Sequence, residues 1–234
     1  MSPEFECRRE VLLPATPEQV WEALTTTAGN AAWLFPNEID PSAATTWDPP
    51  HHFAIRTERG EWFNALEYVI EARDGAASLR YVHSGIFVDD WDTQYDAVQQ
   101  HTDFYLHTLS EYLEHFAGRT ATYIGDVPAG IAGPPESATP DGFKRLQRAL
   151  GVGTQAGEGE RVTLTPGGLE PIEGVINYRR PLFLGLRSPD GLYCFFGRNA
   201  FGAPVGMSIH LFADGVDPER IRHAWQQWLN TALV

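Results

Sequence analysis

Short stretches of alternating apolar and polar residues open the chain, and a longer repeat follows. Phe5, Cys7, Val11 and Leu13 share one parity while Arg8 and Glu10 take the other, which predicts a half-buried strand. The run Pro14-Ala15-Thr16-Pro17-Glu18-Gln19 then reads as a helix start. Thr16 is a good N-cap, Pro17 suits the first helical position, and Gln19 completes a capping box. The short helix behind it buries Val20, Trp21 and Leu24, and a second, over about 29–35, stops before Pro36. Strands are predicted over 44–47, 52–57, 61–72 and 78–84, joined by turns at Arg59-Gly60 and Asp74-Gly75. Successive strands with short turns make an antiparallel meander. From Asp92 to Phe116 the period changes. Trp91, Tyr95, Val98, Thr102, Tyr105, Leu109, Tyr112 and Phe116 recur at spacings of three and four, with Leu106 and Leu113 widening the stripe. At 1.5 Å per residue such a helix is roughly 37 Å long. A helix of that length after a meander is expected across the concave face of the sheet, with Asp90 or Asp92 of the run Asp89-Asp90-Trp91-Asp92 as its cap.

The second half shares this order of elements without repeating residues, and two readings stay open for it: a second domain of the same architecture, or a different, sheet-rich appendage. Gly and Pro dominate 125–140, a loop or linker. Thr139-Pro140-Asp141 caps a short helix through about Leu150 with Phe143, Leu146 and Leu150 on its apolar face. Strands are expected over 161–165, 173–178, 182–186, 192–197 and 205–212, with the Tyr123 region able to supply an opening strand. Asp217 and Pro218 begin a last helix whose buried stripe is Ile221, Trp225, Trp228 and Leu229. The organisation is therefore α+β in two domains, 1–118 and 119–234.

Composition narrows the function classes. Hydrophobic residues make up 43% and charged residues 21%, enough for a packed core, and seven Trp supply rings that fill cores or line pockets. A formal charge of -14 repels phosphate backbones and anionic lipids, so nucleic acid and membrane surfaces are poor partners. Two cysteines, Cys7 and Cys194, are too few for a disulfide framework. The opening MSPEFECRRE lacks the apolar core of a signal peptide, and a cytoplasmic location is the expectation.

Strand, two short helices, meander and long helix resemble, in that order, the helix-grip fold of the START-like (SRPBCC) superfamily, related in shape to Bet v 1. The segments VLLPATPEQVWEALTT, LEYVIEARDGAASLRYVHSGI, DDWDTQYDAV and FYLHTLSEYLEHF look like the branch of homologues of the activator of the Hsp90 ATPase (AHSA1-like), over about 5–117. GLYCFFGRNAFGAPVG looks like a tail carried by some actinobacterial members. The resemblance implies a curved antiparallel sheet gripping a long helix around a hydrophobic cavity. It implies a small hydrophobic ligand, lipid or polyketide-like, with no cofactor. Homodimerisation is left open. Two other roles also stay open: a protein-interaction module of the chaperone-cofactor kind, and a cyclase or hydrolase.

Residue by residue, the chemistry is sparse. His51 and His52 point to opposite faces of a strand, His101 and His107 lie six apart on a helix, and no His-Glu-x-x-His run occurs, so no metal site is expected. Cys7 and Cys194 read as inert packing. Glu67 and Glu71 share the face opposite Leu66 and Ile70, the solvated one. His83 shares parity with Leu79 and Tyr81 and is the candidate to enter the grip as an acid or base. Thr102 and Tyr105 could orient a ligand by their hydroxyls. The expected ligand-binding residues are Trp21, Trp33, Phe35, Trp62, Tyr81, His83, Thr102 and Tyr105, with Phe104 among the lining aromatics.

Overall fold

A computed structural model describes residues 4–87 and 90–234. Two compact units divide the chain: Met1–Asn30 with Pro36–Gly118, and Ala31–Phe35 with Arg119–Val234.

The first unit begins with strand β1 (Glu4–Leu13) and the helices α1 (Pro17–Thr25) and α2 (Thr27–Ala31). Strands β2 (Ala44–Asp48), β3 (His52–Arg59), β4 (Trp62–Arg73) and β5 (Ala76–Ile86) follow, then helix α3 (Trp91–His115). The sheet runs β1-β5-β4-β3-β2 and every pairing is antiparallel. This is the predicted meander, with the opening strand laid beside the last. The β4–β5 turn is Asp74-Gly75, where φ values of 50° and 83° give the left-handed pair of a type I′ two-residue hairpin. The capping box is present in full: Gln19 N–H donates to Thr16 Oγ1 and Thr16 N–H to Gln19 Oε1.

Register decides which residues share the inner face. Cys7 pairs with His83 and His83 with Leu66, while Phe53 pairs with Tyr68 and Tyr68 with Tyr81. Rings fill the middle of that face in a ladder. Phe53 stacks on Tyr68 at 4.4 Å, Tyr68 meets Tyr81 at 5.1 Å, and Trp21 abuts Trp47 and Phe53. Helix α3 packs against β1 and α1. Arg9 crosses from β1 to bond Asp103 and Gln99, Cys7 Sγ donates to Gln99 Oε1 at 3.6 Å, and Tyr95 Oη donates to Glu6 O at 3.2 Å.

Three local expectations need correction. The helix expected over 29–35 is Thr27–Ala31. There the Asn30 amide donates to Leu24 O and Thr26 O, and the chain leaves helical geometry to join the second unit. Asp90 occupies the cap position of α3, but its left-handed backbone (φ 46°) makes no side-chain cap, and Asp89 lies outside the described residues. The buried residues of α3 are Thr102, Phe104, Leu106, Thr108, Leu109 and Leu113, a wider band than the aromatic stripe, whose Tyr105 and Tyr112 are only half-buried.

In the second unit a seven-stranded antiparallel sheet is built from β6 (Thr122–Ile124), β7 (Ile131–Ala132), β8 (Arg161–Leu164), β9 (Ile172–Arg180), β10 (Phe183–Ser188), β11 (Gly191–Phe196) and β12 (Gly206–Leu211). Its order is β6-β12-β11-β10-β9-β8, with β7 also on β12. Helix α4 (Gly142–Ala149) has Asp141, the last residue of the expected Thr139-Pro140-Asp141 run, at its cap position without a side-chain cap bond, and Thr139 Oγ1–H donates to Asp141 Oδ1 at 3.0 Å. Helix α5 (Pro218–Ala232) is capped by Asp217 as expected and buries Trp225, Trp228 and Leu229, with Ile221 half-buried. These join Phe143, Leu146, Ile176, Phe195, Met207 and Ile209 in one core. The residues Ala31–Phe35 complete the unit, where His210 Nδ1–H donates to Ala31 O at 2.8 Å and Trp33 is 3% exposed. The fold is thus α+β with two antiparallel sheets, each carrying helices.

Candidate functional site

The long strand β4 enters the sheet at Trp62 and presents Trp62, Asn64 and Leu66 on one parity. Neighbouring β5 presents His83 and Gly85 to that face, and β1 brings Phe5 opposite Gly85. The first turns of α3 add Gln94. Together Phe5, Trp62, Phe63, Asn64, His83, Ile86, Phe87 and Gln94 border a half-open pocket of about 270 Å³. It lies toward one end of the inner face, beyond the ring ladder that fills the middle.

Two contacts give the pocket its shape. The Phe5 ring stacks on Phe87 at 4.0 Å and meets His83 edge-on at 5.0 Å. It can do so because residue 85 has no side chain: a Cβ there would sit 2.8 Å from Phe5 Cε1 and 2.8 Å from Phe63 O. Gly85→Ala is therefore expected to push the Phe5 ring off β5 and to cost about 1–3 kcal/mol by overpacking. Urea denaturation would show the loss, and a cost under about 0.5 kcal/mol would contradict the close approach.

The polar centre is a histidine–asparagine pair. His83 Nε2 lies 2.7 Å from Asn64 Oδ1, a diagonal contact between adjacent strands. With the amide oxygen toward the ring, Nε2–H donates and Nδ1 keeps its lone pair. Burial holds the imidazole down at about 4, so the ring is neutral at physiological pH. A neutral imidazole with so low a proton affinity is a weak general base and a competent hydrogen-bond acceptor. The phenols nearby are no better as bases, since burial raises both Tyr68 and Tyr81 well above the usual range.

Other groups on the inner face hold structure. Burial raises the Cys7 thiol, and with 0% exposure it is packing, as expected. Arg9 is committed to Asp103 and Gln99. Glu67 lies on the outer face, paired with His52 at 2.9 Å, and Glu71 is exposed. No group of three or more His, Cys, Asp or Glu able to hold a metal occurs among the described residues.

Of the eight residues singled out as ligand-binding, Trp62 and His83 border this pocket. Trp21 sits against Trp47 and Phe53 in the ladder, and Tyr81 belongs to it as well. Thr102 is buried on α3, and Tyr105 is half-buried. Trp33 and Phe35 fall in the second unit. Phe5, Asn64, Phe87 and Gln94 were not singled out for the site. Asn64 carried a usable signal, because it is the polar residue on the parity shared by Trp62 and Leu66.

No family model matches the chain, and no curated protein matches it. Solved structures do. A Mesorhizobium loti protein, MLL2253, is 15% identical, with 48% of this chain and 98% of that one covered and a TM-score of 0.42. The Aha1 dimer of Colwellia psychrerythraea is 17% identical, covering 47% and 96%, with a TM-score of 0.40. DynU16, a protein of the dynemicin biosynthetic locus, is 15% identical and is covered to 97% by 99% of this chain, with a TM-score of 0.40.

Proposed function

We propose that the first unit is a binding domain for a compact hydrophobic molecule, held without catalysis in the pocket at the Trp62 end of the sheet. The observation that carries this reading is the pocket itself: rings of Phe5, Trp62 and Phe87 around one neutral histidine–asparagine pair. Binding sites of this sort are apolar clefts with few polar groups, and about 270 Å³ lies just below their usual range, so the ligand is small. Catalysis has weaker support, because the histidine of this pocket, His83, is held neutral and the buried thiol and phenols are held protonated. Free Cys7 and Cys194 fit a reducing, cytoplasmic setting. No helix among the described residues is long and apolar enough to cross a membrane.

Thermal-shift and calorimetric titration with a panel of small apolar and aromatic compounds tests the reading. At least one compound should bind saturably and raise the melting temperature, since a ligand that binds only the folded state stabilises it. Trp62→Ala should weaken that compound roughly tenfold, the worth of a lost ring contact of about 1.4 kcal/mol. A panel without saturable binders, or a binder indifferent to Trp62, would count against this pocket.

A further inference from the structure

The binding reading says nothing about which hydrophobic molecules are preferred. Three features of the same pocket bear on that. First, the acceptor is fixed. Asn64 Oδ1 takes the Nε2 proton at 2.7 Å, so the lone pair of His83 is on Nδ1, and no hydrogen bond to Nδ1 occurs among the described residues. A ligand that brings a donor to this half-buried, ring-lined acceptor gains a hydrogen bond shielded from water. Second, the lining supplies no counter-charge. Phe5, Trp62, Phe63, Asn64, His83, Ile86, Phe87 and Gln94 are uncharged side chains once His83 is neutral, so an ionic ligand would be desolvated without compensation. Third, the apolar part of the lining is largely flat. Phe5 and Phe87 lie parallel, 4.0 Å apart with planes 8° from one another, and Trp62 stands two strands from Phe5 in the same sheet. Such rings favour stacked or edge-on contact with another ring.

We propose that the preferred ligand is an uncharged hydroxyaromatic molecule of one or two rings, its ring among Phe5, Trp62 and Phe87 and its hydroxyl donating to Nδ1 of His83. This rests on the binding reading above and adds the chemical class to it. The pair of His83 and Asn64 then sets specificity: Asn64 orients the imidazole, and the imidazole selects the donor. Asn64 touches no ligand in this arrangement and is a positioning residue.

The test compares matched ligands by isothermal titration calorimetry on the full chain. 2-Naphthol carries the donor, 2-methoxynaphthalene keeps the oxygen without it, and 2-naphthoate carries a charge. 2-Naphthol should bind roughly tenfold more tightly than 2-methoxynaphthalene, the value of one hydrogen bond to a partly buried acceptor. 2-Naphthoate should be the weakest of the three. In His83→Phe the advantage of 2-naphthol should vanish while 2-methoxynaphthalene still binds, and Asn64→Leu should shrink that advantage without abolishing it. Equal affinity for 2-naphthol and 2-methoxynaphthalene overturns the hydroxyl assignment and leaves the apolar pocket standing. A preference for 2-naphthoate overturns the neutral-ligand inference. Failure of all three to bind strikes the binding reading itself. The comparison on the unaltered protein decides the matter even if a variant fails to fold.

Discussion

Phe53→Ala should destabilise the first unit by about 3–5 kcal/mol, a large fraction of the roughly 5–15 kcal/mol that holds a typical domain together. Phe53 is 0% exposed and lies between β2 and β4. Its ring stacks on Tyr68 at 4.4 Å, and Trp21 and Trp47 stand against it at 5.6 and 6.1 Å. Truncation removes the transfer free energy of a ring and leaves a cavity walled by side chains that cannot all move in. Each of those neighbours is held by strand pairing or by its own helix, so relaxation is limited. Phe53→Leu keeps much of the volume and should cost less than half as much. Hydrogen exchange on peptides of β3 and β4 would read the change in this unit alone. A cost for Phe53→Ala of less than about 1 kcal/mol would mean that the ladder is not the centre of the first core.

The second large effect is a loss of stability in acid that belongs to the second unit. His210 is 1% exposed, its Nδ1–H is given to Ala31 O at 2.8 Å, and burial holds it at about 4 against an ordinary 6.5. The unfolded chain binds the proton more readily than the folded one, so stability rises with pH across this window. The contribution is intact above 6.5, declines as the pH falls toward 4, and flattens below. A shift of that size corresponds to about 3 kcal/mol. His83 acts in the same direction on the first unit, with its own proton affinity held down to about 4. His210→Asn can keep an N–H for Ala31 O but cannot titrate. It should be less stable than the parent at pH 7 and show a shallower decline between pH 6.5 and 4, as read by hydrogen exchange on β12 and α5. His210→Leu should lose a further 1–3 kcal/mol at pH 7, because the Ala31 carbonyl is then buried without a donor. Parallel pH profiles for the parent and His210→Asn would show that this imidazole is not the linked group.

The chain by itself determined what depends on neighbours a few residues away. Local rules located α1 through its capping box, the β4–β5 hairpin through Asp74-Gly75, α3 through its three-and-four repeat, and α5 through Asp217-Pro218. Parity placed His83 on the inner face and Glu67 on the outer one, because a strand assigns faces by counting in twos. Tertiary structure alone decided where along that face a pocket would lie. The pocket needs Phe5 across from Gly85 and Asn64 diagonal to His83, and those meetings are set by the register of strands nearly eighty residues apart in the case of β1 and β5. It also decided that Trp33 and Phe35 serve the second unit, where Ala31 meets a histidine 179 positions away. Periodicity reports which side of an element is apolar. It carries no information on which distant apolar side will cover it, and that choice is made by the packing of whole elements.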